Sequence, residues 1–325
     1  MNVCGLGNSF HSITKAATQS LKFIILACCI FSVSNLSPMH PVRLTELLYS
    51  TFDAHTPGLN SLIPKINERG FAFEAEVGLI LACRSERVIG FDLGINFKDG
   101  FATVCIDEMV TTLGSTEFDV IANQAIECKS GATPLLTDQN VTQYSHYTHK
   151  ALKQEQRKIF SILQQPTLSQ HQRDALLYEL QPIAAQALLM QCQKEKVMLT
   201  WCKELAKEID TGQITFSFLY SQTHRPYVVI NGPATCYKDT AINLTWFTTP
   251  NQQECTQIFI EIIHLLATKD SMVFFSGNVT PVFARLLYDA NIVFEDDIHF
   301  IQEDATALTA QFSGMQISPS QPSVV

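Results

Sequence analysis

Residues 138–210 keep a helical pattern almost throughout, interrupted at Pro166 and Pro182, and short strand-like runs stand on both sides of that block. Upstream, residues 41–52 read as an amphipathic helix. Residues 71–83 read as a second, with Phe73, Val77, Ile80 and Leu81 on one face at helical spacing. Strand-like runs follow at 88–93, 102–107, 117–122 and 125–129. Downstream come strands at 214–220 and 227–230, a helix at 257–268, a strand at 272–276, a helix at 281–290, a strand at 292–295 and a last helix at 303–312. Helix, strand meander, then helix–strand–helix–strand is the plan of an α/β (α+β) chain around one mixed central sheet flanked by helices. The helical block then reads as an inserted subdomain. The expected division is 1–38 as a signal-like or dispensable segment, 39–150 as the first part of the core and 151–212 as the helical insertion. Residues 213–312 would close the core, and 313–325 would form a disordered tail.

The chain has 325 residues, of which 46% are hydrophobic and 16% charged. That supplies ample core and excludes a disordered chain, which would be poorer in apolar and richer in charged residues. No apolar run reaches the roughly 18 residues of a spanning helix. The ten cysteines sit largely inside apolar segments and form no C-x-x-C pair, so most of them read as small buried hydrophobes, in a reducing compartment, rather than as a zinc site. Residues 23–31 (FIILACCIF) follow Lys15 and Lys22 and precede Ser32-Val33-Ser34, which resembles an export signal with an overlong polar start. Against that stands a reading from Met39 onward as an ordinary cytoplasmic domain.

The formal charge is −9, which excludes a generic basic nucleic-acid binder. The charge is uneven, however. Residues 131–212 hold nine of the 22 basic side chains, and only there could a polyanion find an electrostatic footprint. Lys150, Lys153 and Arg157 fall on one face of a helix within it.

The residues that carry chemistry lie at 114–131. Asp119 is on one strand, and Glu127 and Lys129 are on the next, two apart and so on one face. Two carboxylates at a strand pair make a hard-oxygen site suited to Mg²⁺. A lysine beside them can orient a water or hold a phosphate oxygen. An acid two before a lysine occurs once, about as often as chance places it, so the spacing gains meaning only from its strands and from Asp119. For Asp119 to share that face, the turn must hold an odd number of residues or contain a bulge. Asn123-Gln124-Ala125 would pair Ile121 with Glu127 and Asp119 with Lys129, and would send Val120 and Cys128 to the opposite, apolar face. Other arrangements are weaker. Glu261-x-x-His264 has di-iron spacing but occurs once, His146 and His149 read first as a polar helix face with contact to nucleic acid or support of the site as the alternative, and no P-loop or G-x-S-x-G is present.

With Asp119, Glu127 and Lys129 in place, the stretch resembles the PD-(D/E)xK nuclease superfamily, the restriction-endonuclease-like fold, with Phe118 where that family carries proline. Gly70-x-x-Phe73-Glu74 resembles its first core helix, whose glutamate often reaches the metal, with Glu76 as the alternative to Glu74. Gln143 stands where many members carry a glutamine, with Gln139 as its competitor, and residues 272–295 resemble the strand–helix–strand that closes the sheet. The resemblance implies catalytic roles for Asp119, Glu127, Lys129, Glu74 and Gln143. It implies Mg²⁺, with Mn²⁺ as a substitute, held by Asp119, Glu127 and Glu74. The implied activity is metal-dependent endonucleolytic hydrolysis of phosphodiester bonds in DNA rather than RNA. No nucleotide cofactor is implied, Lys150, Lys153 and Arg157 would hold the nucleic acid, and a homodimer is compatible. The alternative of another class is a catalytically silent scaffold with the nuclease fold, or an exported interaction protein.

Overall fold

A computed structural model describes residues 41–130, 147–222, 225–233, 236–275 and 298–300. The signal-like segment, Gln143, the expected elements at 281–290, 292–295 and 303–312, and the tail lie outside the described residues. Three helical pieces come first, α1 (Pro41–Thr51), α2 (Leu59–Leu62) and α3 (Arg69–Cys83). Strands β1 (Gly90–Phe97), β2 (Phe101–Ile106), β3 (Met109–Gly114), β4 (Thr116–Ile121) and β5 (Ala125–Lys129) follow. Then come α4 (His149–Leu163), α5 (Gln170–Thr211), β6 (Thr215–Tyr220), β7 (Pro226–Asn231), β8 (Ala241–Leu244), α6 (Gln252–Ala267), β9 (Ser271–Phe275) and β10 (Ile298–Phe300).

The central sheet is mixed and flanked by helices, as the sequence pattern predicts. Its order is β10-β9-β5-β4-β1-β8-β7-β6, parallel at β10/β9/β5 and antiparallel elsewhere, while β2 and β3 form a separate hairpin. Its Asp107-Glu108 turn has positive φ at both residues, the backbone a two-residue hairpin loop requires. One apolar cluster joins α1, α2 and α3 to Val120, Ile126, Cys128 and Phe274. A second joins α6, the β2–β3 hairpin and the later half of α5 to Leu93, Phe118 and Ala125. Gly78 lets α3 lie on β1, because a Cβ there would meet the Phe91 ring at 2.5 Å.

Several expectations need correction. Pro182 does not interrupt the helix: α5 runs through it for 42 residues, from the Ser169/Gln172 capping box to Gly212 in the left-handed region. Proline forfeits one backbone hydrogen bond, but Leu180, Gln181 and Ile183 are all buried, and packing holds the helix together. Nor does the helical block stand apart. The α4 helix and the start of α5 share a small cluster, whereas Met198, Leu199, Trp201, Cys202 and Leu205 on α5 belong to the main core. Cys105 and Cys236 are joined in a disulfide, contrary to the reading of the cysteines as reduced hydrophobes, while Cys128, Cys192, Cys202 and Cys255 are free and buried. Among the described residues no helix is long and apolar enough to cross a membrane.

Candidate active site

The β4–β5 hairpin pairs Ile121 with Ala125 and Val120 with Ile126, so its loop is Ala122-Asn123-Gln124. The odd loop length is as expected, but the register differs from the expected one by two residues and sets Asp119 level with Glu127 rather than Lys129. The β4–β5 ladder ends there. The Cys128 N–H donates to Asp119 Oδ2 at 2.6 Å, so the carboxylate takes the place of a strand carbonyl. Strand β5 stays straight because it pairs with β9 along its whole length.

The neighbouring β1–β4 ladder is irregular at the same level. Phe91 pairs with Val120 and Leu93 with Phe118, yet the first pair lies in the cluster under α3 and the second in the cluster under α5 and α6. Residues two apart on a regular strand would share a face. Between the two pairs Asp92 adopts φ 53°, a left-handed conformation that aspartate tolerates better than most residues. The ladder thus changes face at Asp92 and Asp119. Such a local distortion re-aims side chains.

Glu127 and Lys129 point from β5 toward α5, opposite to Ile126 and Cys128 in the apolar cluster. The Lys129 ammonium forms an ion pair with Glu127 and lies 3.9 Å from Asp119 Oδ2. Asp119, Glu127 and Lys129 are therefore brought together as the sequence predicts. Burial opposes the charge on Lys129, but Glu127 and Asp119 outweigh it and hold the ammonium well above its ordinary pKa. Burial and then the Glu127 charge push Asp119 up to about 7.

Glu74 comes from α3 and is 8% exposed. Burial first, then Asp119 and Asp92, push it up to about 9, so it is neutral at physiological pH in the absence of a cation. Among the described residues no three His, Cys, Asp or Glu side chains stand in an arrangement that would by itself enclose a metal ion. The three-carboxylate set of Asp119, Glu127 and Glu74 is thus not assembled. What is assembled is a pair of hard-oxygen donors, Asp119 and Glu127, converging on one cation, the Lys129 ammonium. Mg²⁺ is held in many sites by one or two carboxylates and keeps its waters, so that pair fits it.

Sequence reasoning missed several neighbours. Glu195, on α5 and 2% exposed, hydrogen-bonds to Glu127 and accepts from Gln191 Nε2 at 2.7 Å. Burial and then Glu127 hold it well above the carboxylate range. Asp92 is bound by Lys65 at 3.1 Å and by the Glu117 carboxyl, whose hydrogen bond keeps Asp92 below its ordinary value. Lys194 on α5 and His149 on α4 also lie within electrostatic reach of Glu127. No short-range pattern marks Glu195 and Lys194, because α5 carries them and their part of it is far from β5 in sequence. Of the expected nucleic-acid contacts, Lys153 lies within the fields of Lys129, Glu127 and Asp119, and Arg157 acts on Lys153. Lys150 is exposed on the same helix.

Comparison of the chain with protein-family models, with curated proteins and with solved structures gives no match.

Proposed function

We propose that this protein is a metal-dependent nuclease of restriction-endonuclease-like fold that hydrolyses phosphodiester bonds, with DNA as the preferred substrate. The observation that carries the reading is the convergence of Asp119 and Glu127, from adjacent strands, on the Lys129 ammonium. The parallel β5–β9–β10 edge beside the site supports the fold assignment.

Asp119 and Glu127 would hold Mg²⁺ or Mn²⁺, which supplies polarisation of the phosphate and a more acidic bound water. The remaining chemistry belongs to the chain. Lys129 is paired with Glu127 and stands 3.9 Å from Asp119, which places its Nζ beside the water that such an ion would hold. Its Nζ orients that water and donates to the phosphoryl oxygens as negative charge gathers on them. The hydrogen bond between Glu195 and Glu127 fixes the carboxylate that faces Lys129. On α4, Lys153 and Arg157 offer positive charge to the strand backbone.

The test is nicking and linearisation of supercoiled plasmid with Mg²⁺, with Mn²⁺ and with EDTA, alongside a single-stranded RNA. Cleavage that requires metal and disappears in Glu127→Gln and Lys129→Ala supports the reading. Equal cleavage by Lys129→Ala would place the active centre elsewhere, and no cleavage in any metal would favour a silent scaffold.

A further inference from the structure

His149 is the first residue of α4, and Lys153 stands one turn on along the same face. The α4 helix packs on α5 through Leu152, Ile159, Leu180, Ile183 and Ala187. On α5, Lys194 immediately precedes Glu195, which hydrogen-bonds to Glu127. The Lys194 ε-carbon reaches the β3–β4 corner, 3.9 Å from the point where a Gly114 Cβ would stand. These basic groups from two helices therefore border the Asp119–Glu127–Lys129 site from the side opposite α3.

Two observations indicate that the cluster is incomplete by itself. His149 Nε2 is shut off from solvent and has no hydrogen-bond partner among the described residues. A buried polar atom without a partner is uncommon and calls for a ligand or another explanation. In addition, His149, Lys153 and Lys194 are all held below their ordinary pKa. Partial desolvation comes first in each case, although the Lys153 side chain remains exposed, with Lys153 and Lys194 acting on His149, and Lys129 and Arg157 acting on Lys153. Glu127, Glu117 and Glu195 act in the other sense on members of the cluster, without restoring the ordinary values. A cation cluster with this deficit favours an anion. The N-terminal end of a 15-residue helix, capped by Thr148, adds partial positive charge at the same place.

We propose that His149, Lys153 and Lys194 form a phosphate subsite beside Lys129, which grips a phosphate oxyanion of the substrate strand next to the one being cut. The proposal rests on the nuclease reading for its substrate but not for its chemistry. The gripped group is either an internal phosphodiester or a terminal 5′-phosphate.

The test uses the full chain in EDTA, so that no cleavage is involved. Inorganic phosphate is titrated while the His149 imidazole C–H signal is followed by NMR, assigned with His149→Gln. A saturable shift is expected, with affinity at least about tenfold weaker in Lys194→Ser and in Lys153→Ser. It should be retained in Lys129→Ala, and circular dichroism confirms that each variant is folded. No shift at His149, or equal affinity in Lys194→Ser and Lys153→Ser, overturns the subsite.

A second arm measures binding of 5′-phosphorylated and 5′-hydroxyl oligonucleotides by anisotropy. A preference for the 5′-phosphate that Lys194→Ser abolishes identifies a terminal phosphate. Equal binding of both, weakened alike by Lys194→Ser, identifies an internal phosphodiester. Affinities unmoved by both serine variants overturn the proposal. A protein that binds phosphate at His149 but cleaves nothing with Mg²⁺ or Mn²⁺ retires the nuclease reading and leaves the subsite standing.

Discussion

On the side of β5 that faces α3, Ile126 and Cys128 lie in an apolar cluster with Leu79, Leu81, Val120 and Phe274. On the side that faces α5, Glu127 and Lys129 lie among Asp119 and Glu195, with Lys153 and Lys194 beyond. The two sides are a single strand thick. On the first, each large side chain contributes roughly 1.5–3 kcal/mol by leaving water. On the second, Glu195 is held well above the carboxylate range, Asp119 is pushed up to about 7, and charges of both signs crowd together. The comparison teaches that the apolar side supplies the rigidity with which the polar side can hold groups that would otherwise move apart. Removing a group should therefore have opposite consequences on the two sides, stability on one and chemistry on the other.

The sharpest break comes on the apolar side. Phe274→Ala, which empties a position paired with Cys128 on β5, should cost about 3–5 kcal/mol in urea unfolding. A loss below about 1 kcal/mol would mean that this side is not the rigid one. On the polar side, Glu127→Gln and Lys129→Ala should each lower cleavage by about 10²–10³-fold while unfolding at wild-type or higher urea concentration. Metal affinity, read by calorimetry, should fall in the first variant and largely survive in the second. Unfolding of either variant under native conditions would make the polar side structural.

An intermediate effect is expected at Glu74, which α3 carries into the acidic group. Its folded pKa of about 9 lies above the ordinary 4.5. Between those values the folded chain keeps a proton that the unfolded chain has released, so stability falls as pH rises through that window. Without metal, Glu74→Gln should gain roughly 1–3 kcal/mol at pH 8 and almost nothing at pH 4. Equal gains at both pH values would remove electrostatics as the cause. Replacing Lys150, Lys153 and Arg157 together by serine should make the dependence of log affinity on log salt shallower by about 2–3 for duplex DNA, without touching stability. The smallest change is reserved for Lys158, which pairs with Glu155 at 2.6 Å on the exposed side of α4. Lys158→Ala should move stability by about 0.5 kcal/mol or less.

The difference between the two sides also explains what could be read in advance. Residues 125–129 were legible as a strand because Ile126 and Cys128 alternate with Glu127 and Lys129, and that period belongs to the local sequence. The odd hairpin loop was legible, while the register was not, because it depends on β9 pairing with β5 from the far side. Strands β3 and β8 escaped notice because Met109–Gly114 is largely exposed and does not alternate cleanly between apolar and polar residues, and Ala241–Leu244 is only four residues long. The helix through Pro182 was illegible because burial overrides the local penalty. Asp119, Glu127 and Lys129 stood out as a short-range motif. Glu195 and Lys194 did not, because their places beside β5 are created by the packing of α5.

The Cys105–Cys236 disulfide spans 131 positions in sequence. Asp119, Glu127, Lys129, His149, Lys153, Lys194 and Glu195 all fall between its ends, whereas Glu74 and Lys65 fall outside. Covalently, the polar side of β5 is thus one closed ring clasped at β2, and α3 meets it from without. Closing a ring of that size removes about 4–5 kcal/mol of freedom from the unfolded chain on a simple entropy estimate. A reductant that opens the clasp would leave every residue of the site in place in the sequence. It would return that freedom to the unfolded chain, from which β5, α4 and α5 must find one another again.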